Sequence, residues 1–395
     1  MASKETFRYK ISLKYINSSN TEIIIDSNQL HYIVIDKDFD NNNMPVIAIS
    51  GSIEKNIIDD MINNIDNNIV TLGIYKYDNQ NQSDGITTKY FNDRFLYIIP
   101  DDISKTAELD YPEGKEHKGI YKDITIWLLQ QDAVNNNRQS INGIFKNATT
   151  NTMILYASNF LGKMLLEPVK YDNKYDQIII PPQDSISSYI KYLNNNLSVF
   201  YDSPYRFFID FDTAYITSSN GKKIEMKGNT IYTIEINVKD LSYDQESMGM
   251  ITDSYNHKYT INVNNASVDY TKNNITNKLV NKVTIIDSLG NTNSKDVDNN
   301  KINNTSIINK IINISNIDNN AINSITYGID KSNVMITIVK NDLDASIFTI
   351  NKEYIVTDLY HKEYAGKYLL TSVKQLYIKQ TDNYCMTCVL SFKKL

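Results

Sequence analysis

The chain has 395 residues, 41% of them hydrophobic, with 29 Tyr, 12 Phe, 13 Gly and 7 Pro. That apolar and aromatic load is too high for a disordered chain, the length calls for two or three domains, and so few glycines leave little room for a phosphate-cradling loop. A formal net charge of −6 argues against a duplex-DNA binder, which carries a basic face rich in Arg.

Asn makes up about one residue in eight, and the only arginines are Arg8, Arg94, Arg138 and Arg206. An Asn/Ile/Lys/Tyr-heavy, Arg-poor chain is most simply the product of an AT-rich genome. The opening residues Met1 to Glu5 lead straight into a polar alternating segment, so no signal peptide is expected. No apolar run approaches the roughly 20 residues that span a bilayer. The sequons at Asn147 and Asn313 are then by-products of the Asn content.

In FRYKISLKY, Phe7, Tyr9, Ile11, Leu13 and Tyr15 alternate with Arg8, Lys10, Ser12 and Lys14, the pattern of a half-buried strand. Strands are expected at 22–26, 30–36 and 45–51. The period then changes: Ile57, Ile58, Met61, Ile62 and Ile65 share one helical face. Strands return at 69–77 and 94–99.

From residue 105 the style shifts. DITIWLLQQ reads as a strand, and SINGIFKNATTNTMILYASNFLG leads into a helix ending near Gly162. KMLLEP is a short strand and QIIIPP another. Asp184 or Ser185 can cap a helix bearing Ile186, Tyr189, Ile190, Leu193 and Leu197. SVFYD and YRFFIDFDTAYITS follow as strands turned at Ser203-Pro204.

Beyond 222 the chain is β again. KKIEMKGNTIYTIEINV reads as a hairpin turned at Gly228-Asn229. Strands are expected at 258–263, 281–287, 333–339, 346–356, 367–379 and 383–393. SLGNTNSKDVDNNKINN reads as a long exposed loop, and SIINKIINISNI as a short helix or strand.

Candidate chemistry is sparse. Cys385 and Cys388 have the C-x-x-C spacing of a redox or zinc pair. Yet Tyr384, Met386, Cys388, Leu390 and Phe392 share one face of a strand, which leaves Cys385 on the other; both read as structural. Asp36, Asp38 and Asp40 have the start of a calcium loop, but Asn41 and Ile47 stand where it needs Gly and Glu. Asp210 and Asp212 could share one strand face as a cation or acid–base pair. With Phe207, Ile209 and Phe211 toward the core, they read instead as a wet face with Arg206 as ionic neighbour. The four histidines, 31, 117, 257 and 361, fall in no motif. Trp127, the single Trp, gives no stacking platform for single strands. No hydrolase, zincin, Walker or kinase signature occurs. The reading is therefore non-enzymatic, with no catalytic, cofactor-binding or metal residues and no cofactor.

Three blocks carry a resemblance. They are YKISLKY…MPVIAISGSIEKNIIDDMI…LGIYKY at the N-terminus, INGIFKNATTNTMILYAS…LLEP…YDQIIIPPQDSISSYIKYLNNNLSVFYDSPYRFFIDFDTAYI in the middle, and YAGKYLLTSVKQLYIKQTDNYCMTCVLSF at the end. In this order they resemble the baseplate (tail) hub proteins of long-tailed bacteriophages, the adaptors between tail tube and central spike. The match covers most of the chain and is loosest over 240–345.

The resemblance implies a mainly β, α+β protein. A tube-forming, β-barrel-like domain at 1–104 and a second at 221–395, with a polar loop near 288–306, flank an α+β insertion at 105–220. It implies a homotrimer that imitates a six-fold ring, with the tail tube protein, the central spike and other baseplate proteins as partners. DNA would pass through the channel unbound during genome ejection. The protein would be made in the bacterial cytoplasm and reside in the virion. The polar loops 37–44 and 288–306 would mark neighbour contacts or exposed surface. The competing reading is a peripheral baseplate or receptor- or carbohydrate-binding tail protein, which the Tyr and Asn content also suits.

Overall fold

A computed structural model describes residues 7–17, 19–39, 44–64, 69–78, 88–99, 108–109, 121–166, 174–197, 199–200, 205–211, 213–218, 233–238, 250–253, 258–263, 266–270, 280–286, 290–296, 308–312, 334–341, 343, 348, 354–358, 362–381 and 383–394. Strand β1 (Phe7–Ile16) has the expected alternation, with Tyr9, Ile11, Leu13 and Tyr15 buried and Arg8 and Lys10 exposed. After it come β2 (Glu22–Ile25), β3 (Leu30–Asp38) and β4 (Val46–Glu54), then helix α1 (Lys55–Asn63), which buries Ile58 and Met61. β5 (Ile69–Asp78), β6 (Thr88–Ile98), the short β7 (Glu108–Leu109) and β8 (Tyr121–Leu129) complete the first region.

The middle of the chain holds α2 (Gln131–Arg138), β9 (Ile141–Thr149), α3 (Thr150–Ala157), β10 (Met164–Leu166), β11 (Lys174–Gln183), α4 (Ile186–Leu197), β12 (Tyr205–Asp210) and β13 (Thr213–Ser218). The segment expected to lead into one helix ending at Gly162 is a strand first; its helix stops at Ala157 and a 3-10 turn closes it at Phe160. Val199 and Phe200, expected in a strand, form a buried bend. The turn at Ser203-Pro204 and Asp212 lie outside the described residues.

Capping explains the helices. Ser185 Oγ accepts from the Ser188 amide at 3.0 Å, and Thr149 caps α3 through the Thr152 amide at 3.1 Å. Helix α2 has a positional role: the side-chain Oδ1 of its buried Asn136 accepts from the Ser187 amide at 3.0 Å, in the first turn of α4.

The last region contains β14 (Thr233–Val238), β15 (Met250–Asp253), β16 (Lys258–Val263), β17 (Ala266–Tyr270), β18 (Val280–Ile286), β19 (Thr292–Asp296), β20 (Ile308–Ile312), β21 (Val334–Asn341), β22 (Tyr354–Asp358), β23 (Gly366–Gln380) and β24 (Asn383–Lys394). The expected loop near 288–306 therefore contains a strand, and SIINKIINISNI contributes another. β22 starts at Tyr354, later than the expected 346, and Phe348 before it lies outside any strand. The hairpin turn at Gly228-Asn229 lies outside the described residues; β14 itself pairs parallel with β16 and with β22.

The pairings close on themselves. β3 pairs with β4, β4 with β8, β8 with β6, β6 with β5, and β5 with β1. β1 meets β24 at Tyr9↔Tyr384, β24 pairs with β23, and β23 returns to β3. The last two strands thus complete a ring begun by the first ones. Their other ends reach away from it, β23 to β22 and β24 to β21, so one hairpin belongs to both β regions. The β23–β24 face is apolar inward: Tyr384, Met386, Cys388, Leu390 and Phe392 are all buried, as the alternation indicated.

Tyrosines pin the corners of this ring. At the β1–β24 seam, the Tyr384 hydroxyl donates to the carbonyls of Ser27 and Leu30, at 2.7 and 3.0 Å. Tyr97 donates to the Met61 carbonyl at 2.6 Å, fixing α1 against the ring. Each hydroxyl gains a partner while its ring fills core volume, which is why so Tyr-rich a chain can bury these residues.

Candidate functional site

Two apolar cores meet at β12. Phe207 and Ile209 point into the core of the middle region, whereas Phe208 belongs to the core of the ring. Phe208 lies 5.3 Å from the Phe39 ring and is stacked at 5.0 Å on Tyr215. The exchange is reciprocal, because Met44, between β3 and β4, packs into the middle core. Period-2 alternation explains this: one strand buried on both faces serves two cores.

Asp210 and Arg206 stand at this junction. Arg206, only 7% exposed, donates from Nη2 to the Leu370 carbonyl of β23 at 2.8 Å. Asp210 takes its cation from β3: Lys37 Nζ lies 2.6 Å from its Oδ1 and 4.1 Å from the centre of the Phe211 ring. The expectation of a wet face served by Arg206 is therefore corrected for Asp210, which is half-buried in an ion pair between regions. Phe211 is turned as well. It has left the strand with φ 53°, and its ring packs against Phe95 of β6 instead of joining Phe207 and Ile209. The motif YRFFID is thus a clamp that fastens the middle region to the ring.

Neither cysteine forms a disulfide, and they lie on opposite faces, Cys388 buried and Cys385 half-buried with its thiol 3.0 Å from Gln380 Oε1. Asp36 lies 3.6 Å from Lys374 across the β3–β23 pair; Asp40 is outside the described residues. Among the described residues, no three His, Cys, Asp or Glu side chains are grouped to hold a metal, and no helix is long and apolar enough to cross a membrane.

Two features escaped the sequence reading. One is the outward face of the ring, where register aligns Ile98, Trp127, Ala48, Val34 and Leu376 across β6, β8, β4, β3 and β23. Beside that row, Tyr32 faces Ile378. Ile98 is 49% exposed, Trp127 42% and Ile378 45%. Only the register of five strands brings these residues together, and no local pattern could have found them.

The other feature is a His–Ser–Asp group on the same wall. His31 Nε2 is 2.8 Å from Ser52 Oγ and 3.7 Å from Asp123 Oδ1, and Ser52 Oγ donates to Asp123. It is not a nucleophilic triad. A single imidazole nitrogen faces both partners, and the hydroxyl donates its hydrogen bond to the carboxylate and not to the imidazole, so the serine–histidine–aspartate relay is not assembled.

Several solved structures are similar to this chain. Among solved structures, the tail protein from Neisseria meningitidis MC58 superposes with a TM-score of 0.52 at 11% identity, covering 98% of this chain and 96% of that one. The 43 kDa tail protein of prophage MuSo2 from Shewanella oneidensis gives a TM-score of 0.47 at 11% identity, with 97% and 98% covered. A Francisella PdpA–VgrG complex gives 0.49 at 11% identity, with 98% of this chain and 53% of that chain covered. At such identity the likeness to the Neisseria protein is one of fold. No curated protein matches the sequence. A family model described as Bacteriophage PBS1 gene 109 protein matches residues 3–395, and the chain belongs to that bacteriophage family.

Proposed function

We propose that this chain is a structural, non-enzymatic protein of the phage tail: a baseplate hub, resident in the virion, that joins the tail tube to the central spike. The observation that carries the reading is the shared fold with a tail protein across nearly the whole of both chains, within a bacteriophage family. Its candidate acid supports it too, since Asp210 is engaged in holding two regions together.

In this reading three copies assemble around a channel, each contributing two tube domains of barrel-like form. The starting division is 1–104, 105–220 and 221–395, with β8 moved from the middle region to the first domain. The pairings of β8 with β4 and of β23 with β3 support counting β8 and the hairpin's inner half with the first domain. The middle region is the outward insertion, held by the Lys37–Asp210 and Arg206–Leu370 contacts. An exposed apolar wall around Trp127 suits a protein whose surface is covered in an assembly. An acidic balance suits a conduit that DNA crosses without sticking.

Antibody against the purified chain, applied to intact virions with gold detection, tests this. Label at the tail tip supports the hub; absence from virions contradicts it.

A further inference from the structure

In the middle region, β9 and β11 form a ribbon of two strands. Its inner face is covered: Ile178 and Ile180 of β11 are buried, and Phe145 of β9 packs against the middle core. Its outer face is bare. There Ile144 and Ile179 are direct register partners, 67% and 61% exposed. Among the described residues β9 pairs with β11 alone, so alternate amides and carbonyls of β9 point away along its other edge. The outer edge of β11 is blunted by Pro181 and Pro182, which have no N–H to offer. The β9 edge contains no proline, and its one charge is Lys146, exposed on the same face as Ile144. Helix α3 flanks this strand on the inner side. Its Tyr156 meets the Phe145 ring edge-on at 5.4 Å, and both Tyr156 and Leu155 are exposed.

We propose that the β9 edge docks an extended segment of a partner protein, which joins the ribbon as a third strand. A row of backbone donors and acceptors is matched along its length by another extended backbone. Two strands alone are marginally stable, and a third would cover the bare apolar pair. Side-chain alternation then sets the chemistry of the segment. The residue beside Ile144 lies on the outer face and is apolar. Its neighbour toward Lys146 faces inward, against Phe145 and Tyr156, and is apolar as well. The next returns to the outer face beside Lys146 and is Asp or Glu. The partner segment thus carries two adjacent apolar residues next to a carboxylate. Neither β9 nor α3 contains a carboxylate, so a second copy of this edge has nothing to set against Lys146. Charge complementarity therefore favours a different protein. This inference goes beyond the tail assignment and does not rest on it.

The test pans a displayed library of short random peptides on the purified full-length chain. Recovered peptides are expected to share two adjacent apolar residues beside Asp or Glu. A synthetic copy of the most enriched one is then measured by fluorescence anisotropy and by hydrogen exchange. Bound peptide is expected to slow exchange of the β9 amides. Ile144→Lys, at an exposed position that leaves the core intact, is expected to bind it at least about tenfold more weakly. Lys146→Glu is expected to bind it about threefold more weakly, with the difference shrinking in high salt. Ile24→Lys, at a similarly exposed site on β2, is expected to bind as wild type does. No enriched peptide, equal binding by Ile144→Lys, or protection away from β9 overturns the proposal. So does wild-type dimerisation that Ile144→Lys abolishes, because the edge would then belong to a second copy.

Discussion

Lys37 and Asp210 are 173 positions apart in sequence, yet their charged atoms lie 2.6 Å apart with side chains only 16% and 28% exposed. Charge-assisted hydrogen bonds in such surroundings are stronger than surface ion pairs, and loss of one partner leaves the other unpaired. Asp210→Ala is expected to lower stability by about 1–3 kcal/mol. A double-mutant cycle with Lys37→Met, read by urea denaturation, checks it: the double variant should lose less than the sum of the singles. Because the contact is a clamp, Asp210→Asn should leave virion assembly and infectivity intact; loss of infectivity with normal particles would revive a catalytic role.

Phe208 is fully buried in the core of the ring although its strand belongs to the middle region. Phe208→Ala opens a cavity between Phe39 and Tyr215 and should cost about 3–5 kcal/mol. Since Phe207 and Ile209 on the same strand serve the other core, the two regions should unfold in one transition in wild type. Differential scanning calorimetry of the variant should show the middle transition separating from that of the ring.

The buried tyrosines set an alkaline limit. Burial, reinforced by the negative charge of Asp60, pushes the Tyr97 hydroxyl up to about 12 from its ordinary 10. Tyr15, Tyr189 and Tyr384 move in the same direction, chiefly through burial. A raised value in the folded state means the protonated form is favoured there, so this stability is intact below pH 10. It is lost as pH climbs from 10 toward 12, by about 2–3 kcal/mol for Tyr97 alone. Tyrosinate absorbance should therefore rise together with loss of near-ultraviolet circular dichroism, and Tyr97→Phe should weaken the steepness of that loss.

The cysteines should behave separately. Cys385 is half-buried and Cys388 buried on the opposite face of β24. Thiol labelling of native protein should modify Cys385 alone, with Cys388 reacting only in denaturant. Oxidation should produce no internal disulfide, because opposite faces of one strand point the sulfurs apart. Mass spectrometry of labelled peptides reads both outcomes.

Local chemistry made much of this fold legible. The alternation of Tyr9, Ile11, Leu13 and Tyr15, the helical face of Ile58 and Met61, and the Ser185 cap all depend on residues within one element. Helix α2 was illegible because QDAVNNNR carries no apolar stripe; what recruits it is Asn136 capping α4, 51 residues away. Strand β19 contains no apolar residue and is defined by pairing with β18. The Lys37–Asp210 clamp and the His31 group join strands distant in sequence, so no spacing could announce them. Phe211 misled for a related reason. A turn with positive φ broke the period that would have placed it beside Ile209.

The oligomeric state of the purified chain bears most directly on the hub reading. Mass photometry, followed by electron microscopy of the same particles, should show a trimer with an open central channel and pseudo-six-fold wall. A stable monomer, or an assembly with no channel, would contradict the account.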